Sequence, residues 1–247
     1  SYASSYTYWT LTEDITTVVV LPHRVFPSLK DSVKTAILTI QHEVGRGLIF
    51  ESRYFDGILR EPAKSLLLPY GFVSNNRQYI GIQKEIWNQL PKSLKSDLLN
   101  RIAYDYDTPG IFDPYVPTES MTSTYVNAYP NEHGPNCLSS TLFVAASISS
   151  GTLLDWIIKE WVHPTTFMNG LKQLGYKEAP LSKDAMFPHD ILVWRDKQER
   201  IVHASFHIDQ HYFFNKNGQT FFNPWKTVHM RELEEQWGMH TVKVYRK

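Results

Sequence analysis

The chain has 247 residues, of which 42% are hydrophobic and 20% charged, which suits one large domain or two modest ones with room for a sizeable core. Its 25 Lys and Arg balance 25 Asp and Glu, so neither the composition of a disordered tail nor a whole-chain basic field for nucleic acid is present. One cysteine, Cys137, stands alone, which excludes an intrachain disulfide framework, a cysteine-rich zinc site and a Cys-x-x-Cys redox pair.

The apolar runs Thr17–Leu21 and Leu142–Ala146 fall far short of the ~20 residues of a membrane helix, so no membrane span is expected. The start at Ser1 without Met reads as a processed or trimmed form. Tyr, Trp, Ser and Thr near it lean toward a secreted or surface location over the cytoplasm.

In chain order, the β-branched stretch Thr16–Leu21 predicts a strand, followed by an extended arm from Pro22 to Pro27. Leu29, Val33, Ile37, Ile40, Val44 and Ile49 recur at mostly helical steps. They predict a helix with Ser28 as N-cap, ending near Gly45 or Gly47. Pro62 to Gly71 reads as a loop and Gln78–Ile82 as a strand. Lys84–Leu90 and Ser93–Tyr104 read as helices joined at Pro91.

Residues 105–136 hold five prolines and predict a long loop, a linker or a functional segment. It leads to a helix that opens at Cys137, turns Leu138, Leu142, Ala145, Ala146 and Ser149 to one face, and stops at Gly151. Helices near Leu153–Val162 and Thr165–Leu174 precede a strand-like region from Ile191 to Phe222. The expected architecture is α+β, with residues 1–115 a mostly helical accessory region with short strands and 116–247 a catalytic domain. In the latter the Cys137 helix packs on an antiparallel sheet of about four to six strands drawn from 190–245.

A thiol in the first turn of a helix meets unpaired backbone N–H groups, which favour thiolate and lower its pKa. Gly134-Pro135-Asn136-Cys137 enforces a sharp approach, and the Cys137 N–H is a candidate oxyanion donor. The competing reading is a buried small hydrophobe. Downstream, Asp190–Trp194 and Ile201–Ile208 read as a hairpin. Period two sets His203, Ser205 and His207 on one face and Val202, Ala204, Phe206 and Ile208 on the other. A histidine near a strand start is placed to serve as base toward a thiol on a neighbouring helix.

A cysteine opening a helix, the Asp190-apolar-apolar-apolar-Trp194 strand, a His203-Ala204-x-hydrophobic strand and Asn215 twelve positions after that histidine together resemble the NlpC-type branch of papain-like cysteine peptidases. The likeness covers residues ~125–225. It implies a papain-like, NlpC-type fold with Cys137 as nucleophile, His203 as base and Asn215 as the group that orients the imidazole. It also implies that Tyr125, twelve residues before the cysteine, lies near the oxyanion site, with Asn136 as a second candidate contact there. Asn136-Cys137-Leu138-Ser139 stands where members usually read Asp-Cys-Ser-Gly, so the resemblance speaks for fold and nucleophile more than for a bacterial cell-wall peptide as substrate.

The expected function is therefore a cysteine-dependent hydrolase acting on an amide or peptide bond through a thioester, without cofactor or metal. Acyl or amide transfer of the transglutaminase kind is the alternative within the same chemistry. A non-catalytic secreted interaction module, with the 105–136 loop as its contact surface, is the alternative outside it.

Rival readings attach to several residues. His203, His207 and His211, four apart, with Asp209 suggest zinc on a helix, but the flanking Val202, Phe206 and Tyr212–Phe214 favour strand. Asn215-Lys216-Asn217-Gly218 also reads as a plain turn, and Lys216 and Asn217 are expected to matter little. Phe213-Phe214, Phe221-Phe222 and Trp225 read as sheet packing, and Tyr104-Asp105-Tyr106-Asp107 as a polar loop.

Overall fold

The computed structural model describes residues 16–17, 21–22, 24–45, 47–106, 122–180, 186–209 and 211–247. Two compact units divide the chain, one of residues 12–105 and one of residues 1–11 with 106–247. The strand expected over 16–21 falls partly outside the described residues, as do positions 107–121 of the expected loop. No described helix is long and apolar enough to cross a membrane.

In the unit 12–105, α1 (Asp31–Glu43) is followed by β1 (Leu48–Glu51), a short α2 (Ala63–Leu67), β2 (Gly71–Ser74), β3 (Arg77–Ile82), α3 (Lys84–Gln89) and α4 (Lys92–Tyr106). The strands form an antiparallel sheet in the order β1-β3-β2. Leu38, the buried residue of α1, lies on β3 at Gly81, where an added Cβ would come within 2.5 Å of the leucine side chain. Glycine is what permits that approach. Phe72 and Ser74 of β2 are buried and their neighbours Gly71 and Val73 exposed, the period-two signature of a half-buried strand. Phe72 stacks on Tyr79 of β3 at 5.6 Å.

One expectation needs correction here, and two strands had no reading. The stretch read as a loop over 62–71 holds α2 and a 3-10 turn, Leu68–Tyr70. Pro62 can lead into a helix because the first turn leaves its N–H groups unused, and Glu61 accepts from the Ser65 N–H and hydroxyl at 3.2 and 2.7 Å. Strands β1 and β2 have four residues each, too few for periodicity to declare them. The predicted α4 is present, with Leu94, Leu98, Leu99, Ile102 and Ala103 buried on its inner face.

In the second unit, α5 (Cys137–Ser150), α6 (Asp155–Ile158) and α7 (Pro164–Gln173) precede β4 (Lys177–Ala179), β5 (Ile191–Arg195), β6 (Ile201–Asp209), β7 (Tyr212–Lys216), β8 (Trp225–His229), α8 (Met230–Trp237) and β9 (Thr241–Arg246). The six strands run antiparallel in the order β4-β9-β5-β6-β7-β8. The α+β class is as expected. The sheet also takes in β4, upstream of residue 190, and the strand-rich region after 190 contains α8, started by a His229–Glu232 capping box.

Helix α5 buries Leu138–Thr141 and Phe143–Ser147, and it packs against β6 and β7. It stops at Gly151, whose φ of 66° is the left-handed C-cap. Helix α6 is one turn rather than the longer helix expected over 153–162. Pro164 opens α7 and forces His163 before it into extended backbone, φ −71° and ψ 145°.

Two apolar layers lie on the two faces of the sheet. Ile191, Val193, Ala204, Phe206, Phe214 and Trp225 join Phe143 and Val144 of α5. Leu192, Trp194, Phe213, Val228 and Val244 join Leu233 of α8. Residues 191–194 of β5 are therefore all buried, each of the large side chains contributing about 1.5–3 kcal/mol. Asp190 precedes β5 and is held by Arg246 of β9 through two contacts of 2.7 Å. That pair ties β5 to β9 at the end of the sheet.

Candidate functional site

Asn136 is the N-cap of α5. Its Oδ1 accepts from the Ser139 N–H at 2.8 Å, and the Ser139 hydroxyl accepts from the Asn136 N–H at 3.0 Å. Its Nδ2 donates to the Val162 carbonyl at 2.9 Å. Both ends of the amide are thus committed to holding the helix start, in place of the oxyanion contact expected of it. Gly134, at φ 130°, donates its N–H to the Gln219 carbonyl at 2.8 Å and ties the approach loop to the turn after β7.

Cys137 is the first residue of α5 and is half-buried. Backbone N–H groups of Ala204, Leu138 and Cys137 itself act on the sulfur, and the Lys216 ammonium acts on it through space. These influences favour thiolate. Desolvation is larger than any of them and pushes the thiol above its ordinary range. The lowering expected from the helix start is present but outweighed, because the apolar layer on β6 and β7 comes up against the same sulfur.

His203 lies on β6 and is buried. Strands β6 and β7 pair from Phe206↔Phe214 toward their hairpin and part on the other side of that pair. Just beyond that pair, His203 Nε2 of β6 lies 2.7 Å from Asn215 Oδ1 of β7. Asn215 Nδ2 donates to Asn217 Oδ1 at 3.0 Å, so the amide turns its oxygen to the ring. An amide oxygen only accepts, so Nε2 carries the hydrogen and the neutral ring keeps its lone pair on Nδ1. The ring stacks on Trp237 of α8 at 4.3 Å and lies 5.5 Å from Trp194. This burial lowers His203 to about 4, with the Asn215 bond opposing it, so the imidazole is neutral at pH 7.

The thiol and the imidazole reach the parting of β6 and β7 from opposite faces of the sheet. Cys137 packs with the layer of Ala204 and Phe206, whereas His203 packs with Trp194 and Trp237. They meet along the backbone: the N–H acting on the sulfur belongs to Ala204, the residue after His203. Among the described residues no hydrogen bond joins Cys137 to His203.

Tyr125 makes edge contacts with Phe143 and Trp225 at 5.2 and 5.5 Å. Burial raises its hydroxyl, and Asp155 of α6 and Lys159 at the end of that helix act on it. The structure thus brings Tyr125 to the middle of α5 and to α6. His207 shares a 2.7 Å contact with the Phe187 carbonyl through Nδ1. The His211 and His229 rings lie 5.4 Å apart at the far end of β6 and β7.

Two residues near the site escaped the sequence reading and a third was discounted by it. Trp237 comes from α8, in a region read as sheet. His133, whose ring meets the Phe221 edge at 4.9 Å, is lowered to about 4 by burial and by Lys216. Lys216, expected to matter little, is wholly buried; counting register back from the β6–β7 hairpin is the signal that would have placed it. Comparison of the chain with protein-family models, with curated proteins and with solved structures finds no match in any of the three.

Proposed function

We propose that the chain is a cysteine-dependent hydrolase of amide or peptide bonds, with Cys137 as nucleophile, His203 as proton carrier and Asn215 holding the His203 ring. The observation that carries this reading is the convergence at the parting of β6 and β7. There a helix-start thiol meets the N–H of Ala204, one residue from an imidazole whose Nε2 is engaged by an amide oxygen at 2.7 Å. This leaves Nδ1 as the nitrogen for proton transfer.

In the first half-reaction the thiol proton passes to Nδ1 and the sulfur attacks the acyl carbon. The oxyanion that forms draws on backbone N–H groups at the start of α5. Collapse expels the amine, which leaves with the proton from His203, and a thioester remains. Water then attacks with His203 as base, releasing the acid and restoring the thiol. Proton transfer requires Nδ1 and sulfur to come within about 3 Å at that opening.

The test is turnover of an amide and peptide panel by the protein and by Cys137→Ala and His203→Ala. Both variants are expected to lose turnover while keeping the far-UV spectrum; activity retained in either overturns the assignment. Product analysis with and without an added amine separates hydrolysis from acyl transfer.

A second reading, a non-catalytic interaction module on a papain-like scaffold, is favoured by the missing Cys137–His203 hydrogen bond and the upward push on the thiol. It expects Cys137 to be alkylated near neutral pH no faster than a free thiol, whereas the hydrolase reading expects faster reaction.

A further inference from the structure

Lys216 closes β7 with no exposed surface, and a buried ammonium is costly unless the surroundings use its charge. Its cross-strand neighbour on β8 is Trp225, a member of the layer against which Cys137 packs. Lys216 therefore shares the α5 face with the thiol, while Asn215 beside it points to the other face and holds His203.

The ammonium donates to the Thr220 carbonyl at 3.0 Å and to the Gly218 carbonyl at 3.5 Å, so the turn after β7 folds over it. That turn is joined to the loop leading into Cys137, since Gln219 accepts the Gly134 N–H at 2.8 Å. The Gln219 side chain also accepts from Trp161 Nε1 at 2.8 Å. Lys216, its turn and the approach to the cysteine are one connected cluster.

We propose that Lys216 is a positioning residue for the nucleophile, a buried cation set against Cys137 to favour its thiolate and to hold the turn that borders it. The proposal rests on Cys137 being the nucleophile of the hydrolase reading. The titratable groups on the neighbouring elements are His133 from the approach loop, which Lys216 acts on, His203 from β6 and the buried Lys226 from β8, opposite Asn215, on the far face, and Lys216 from β7. The side chain that β8 offers on the thiol's own face is Trp225. Asp155 of α6 and its C-cap Lys159 act on Tyr125, and His163 caps its own helix α7. Among the described residues, Lys216 is the side chain whose charge acts on the Cys137 sulfur.

The experiment is the rate of Cys137 alkylation by iodoacetamide against pH, with Cys137→Ser as the blank. Because the chain has a single thiol, the readout belongs to one site. Lys216→Gln removes the charge and keeps a donor for the carbonyls; Lys216→Met removes both; Lys216→Arg keeps the charge. In either neutral variant the alkylation midpoint is expected to rise by about one pH unit, the shift an adjacent opposite charge produces. Lys216→Arg should restore most of that shift, which a purely structural role would not do.

An unchanged midpoint in a folded neutral variant overturns the proposal and leaves hydrolysis at Cys137 standing. A shifted midpoint in a protein that turns over no amide overturns the hydrolase reading and leaves the Lys216–Cys137 coupling in place. If circular dichroism shows that neither neutral variant folds, the charge serves the fold rather than the thiol and the proposal fails.

Discussion

His203 Nε2 and Asn215 Oδ1 lie 2.7 Å apart, on the neighbouring strands β6 and β7 just beyond their Phe206↔Phe214 pair. A neutral amide in that place fixes the tautomer and the ring angle but does not stabilise an imidazolium as a carboxylate would. Under the hydrolase reading, Asn215→Ala is expected to lower kcat by ~10–100-fold with KM little changed, well short of the loss at Cys137. Steady-state kinetics on any substrate found would check it; a loss as large as that of Cys137→Ala would mean that Asn215 does more than orient.

Acid should destabilise the fold through His203. Its folded value is about 4 because of burial, against an ordinary 6.5, so the unfolded chain binds the proton first as pH falls. The stability tied to the neutral ring is therefore complete above 6.5 and is lost progressively toward 4. Between pH 7 and pH 5 the loss is about 2 kcal/mol for this one group. Urea unfolding at the two pH values should show a smaller drop in His203→Gln than in the parent protein, and equal drops would refute the assignment. His133, also lowered to about 4, accounts for part of what remains.

Trp237 covers the His203 ring in a stack of 4.3 Å and 6° between planes. Trp237→Ala should admit water to the ring and raise its titration midpoint from about 4 toward 6.5. It should also lower stability by about 3 kcal/mol, as expected for removing a large aromatic side chain. The imidazole proton resonances followed against pH give the first result directly. A midpoint that stays near 4 would show that Trp194 and the strand neighbours suffice for the desolvation.

Asn136→Ala removes the N-cap of α5 and leaves the Val162 carbonyl without the Asn136 Nδ2 donor. The expected cost is about 2 kcal/mol, the loss of a cap with a buried hydrogen bond added. Because α5 carries the cysteine on its first residue, the alkylation rate of Cys137 should change in the same variant. A chemical denaturation curve that coincides with that of the parent protein would remove the cap from the account.

What the sequence determined by itself was local. The apolar and small residues from Leu138 and the stop at Gly151 specify α5 and set Cys137 at its start, because stop signals and periodicity act within a few residues, whereas the capping role of Asn136 emerged from the structure. The β-branched and aromatic run around His203 specified a strand of a hairpin with Asp190–Trp194, and the twelve-residue spacing to Asn215 was legible from the family resemblance.

Tertiary structure decided the rest. A bulge between Trp194 and Arg195 breaks the strict alternation of β6, so Val202 packs in the layer of Trp194 and Trp237 rather than with Ala204. Helix α8, which supplies the stack on His203, sits in a segment whose neighbours in sequence are strands. The burial of Lys216 depends on where β6 and β7 part. The thiol shows the difference most plainly: the N–H groups of its helix start are written in the adjoining sequence. The desolvation that outweighs them comes with burial in a layer that includes Ala204 and Phe206, some 70 positions away, whose approach is a property of the folded sheet and of no local stretch of chain.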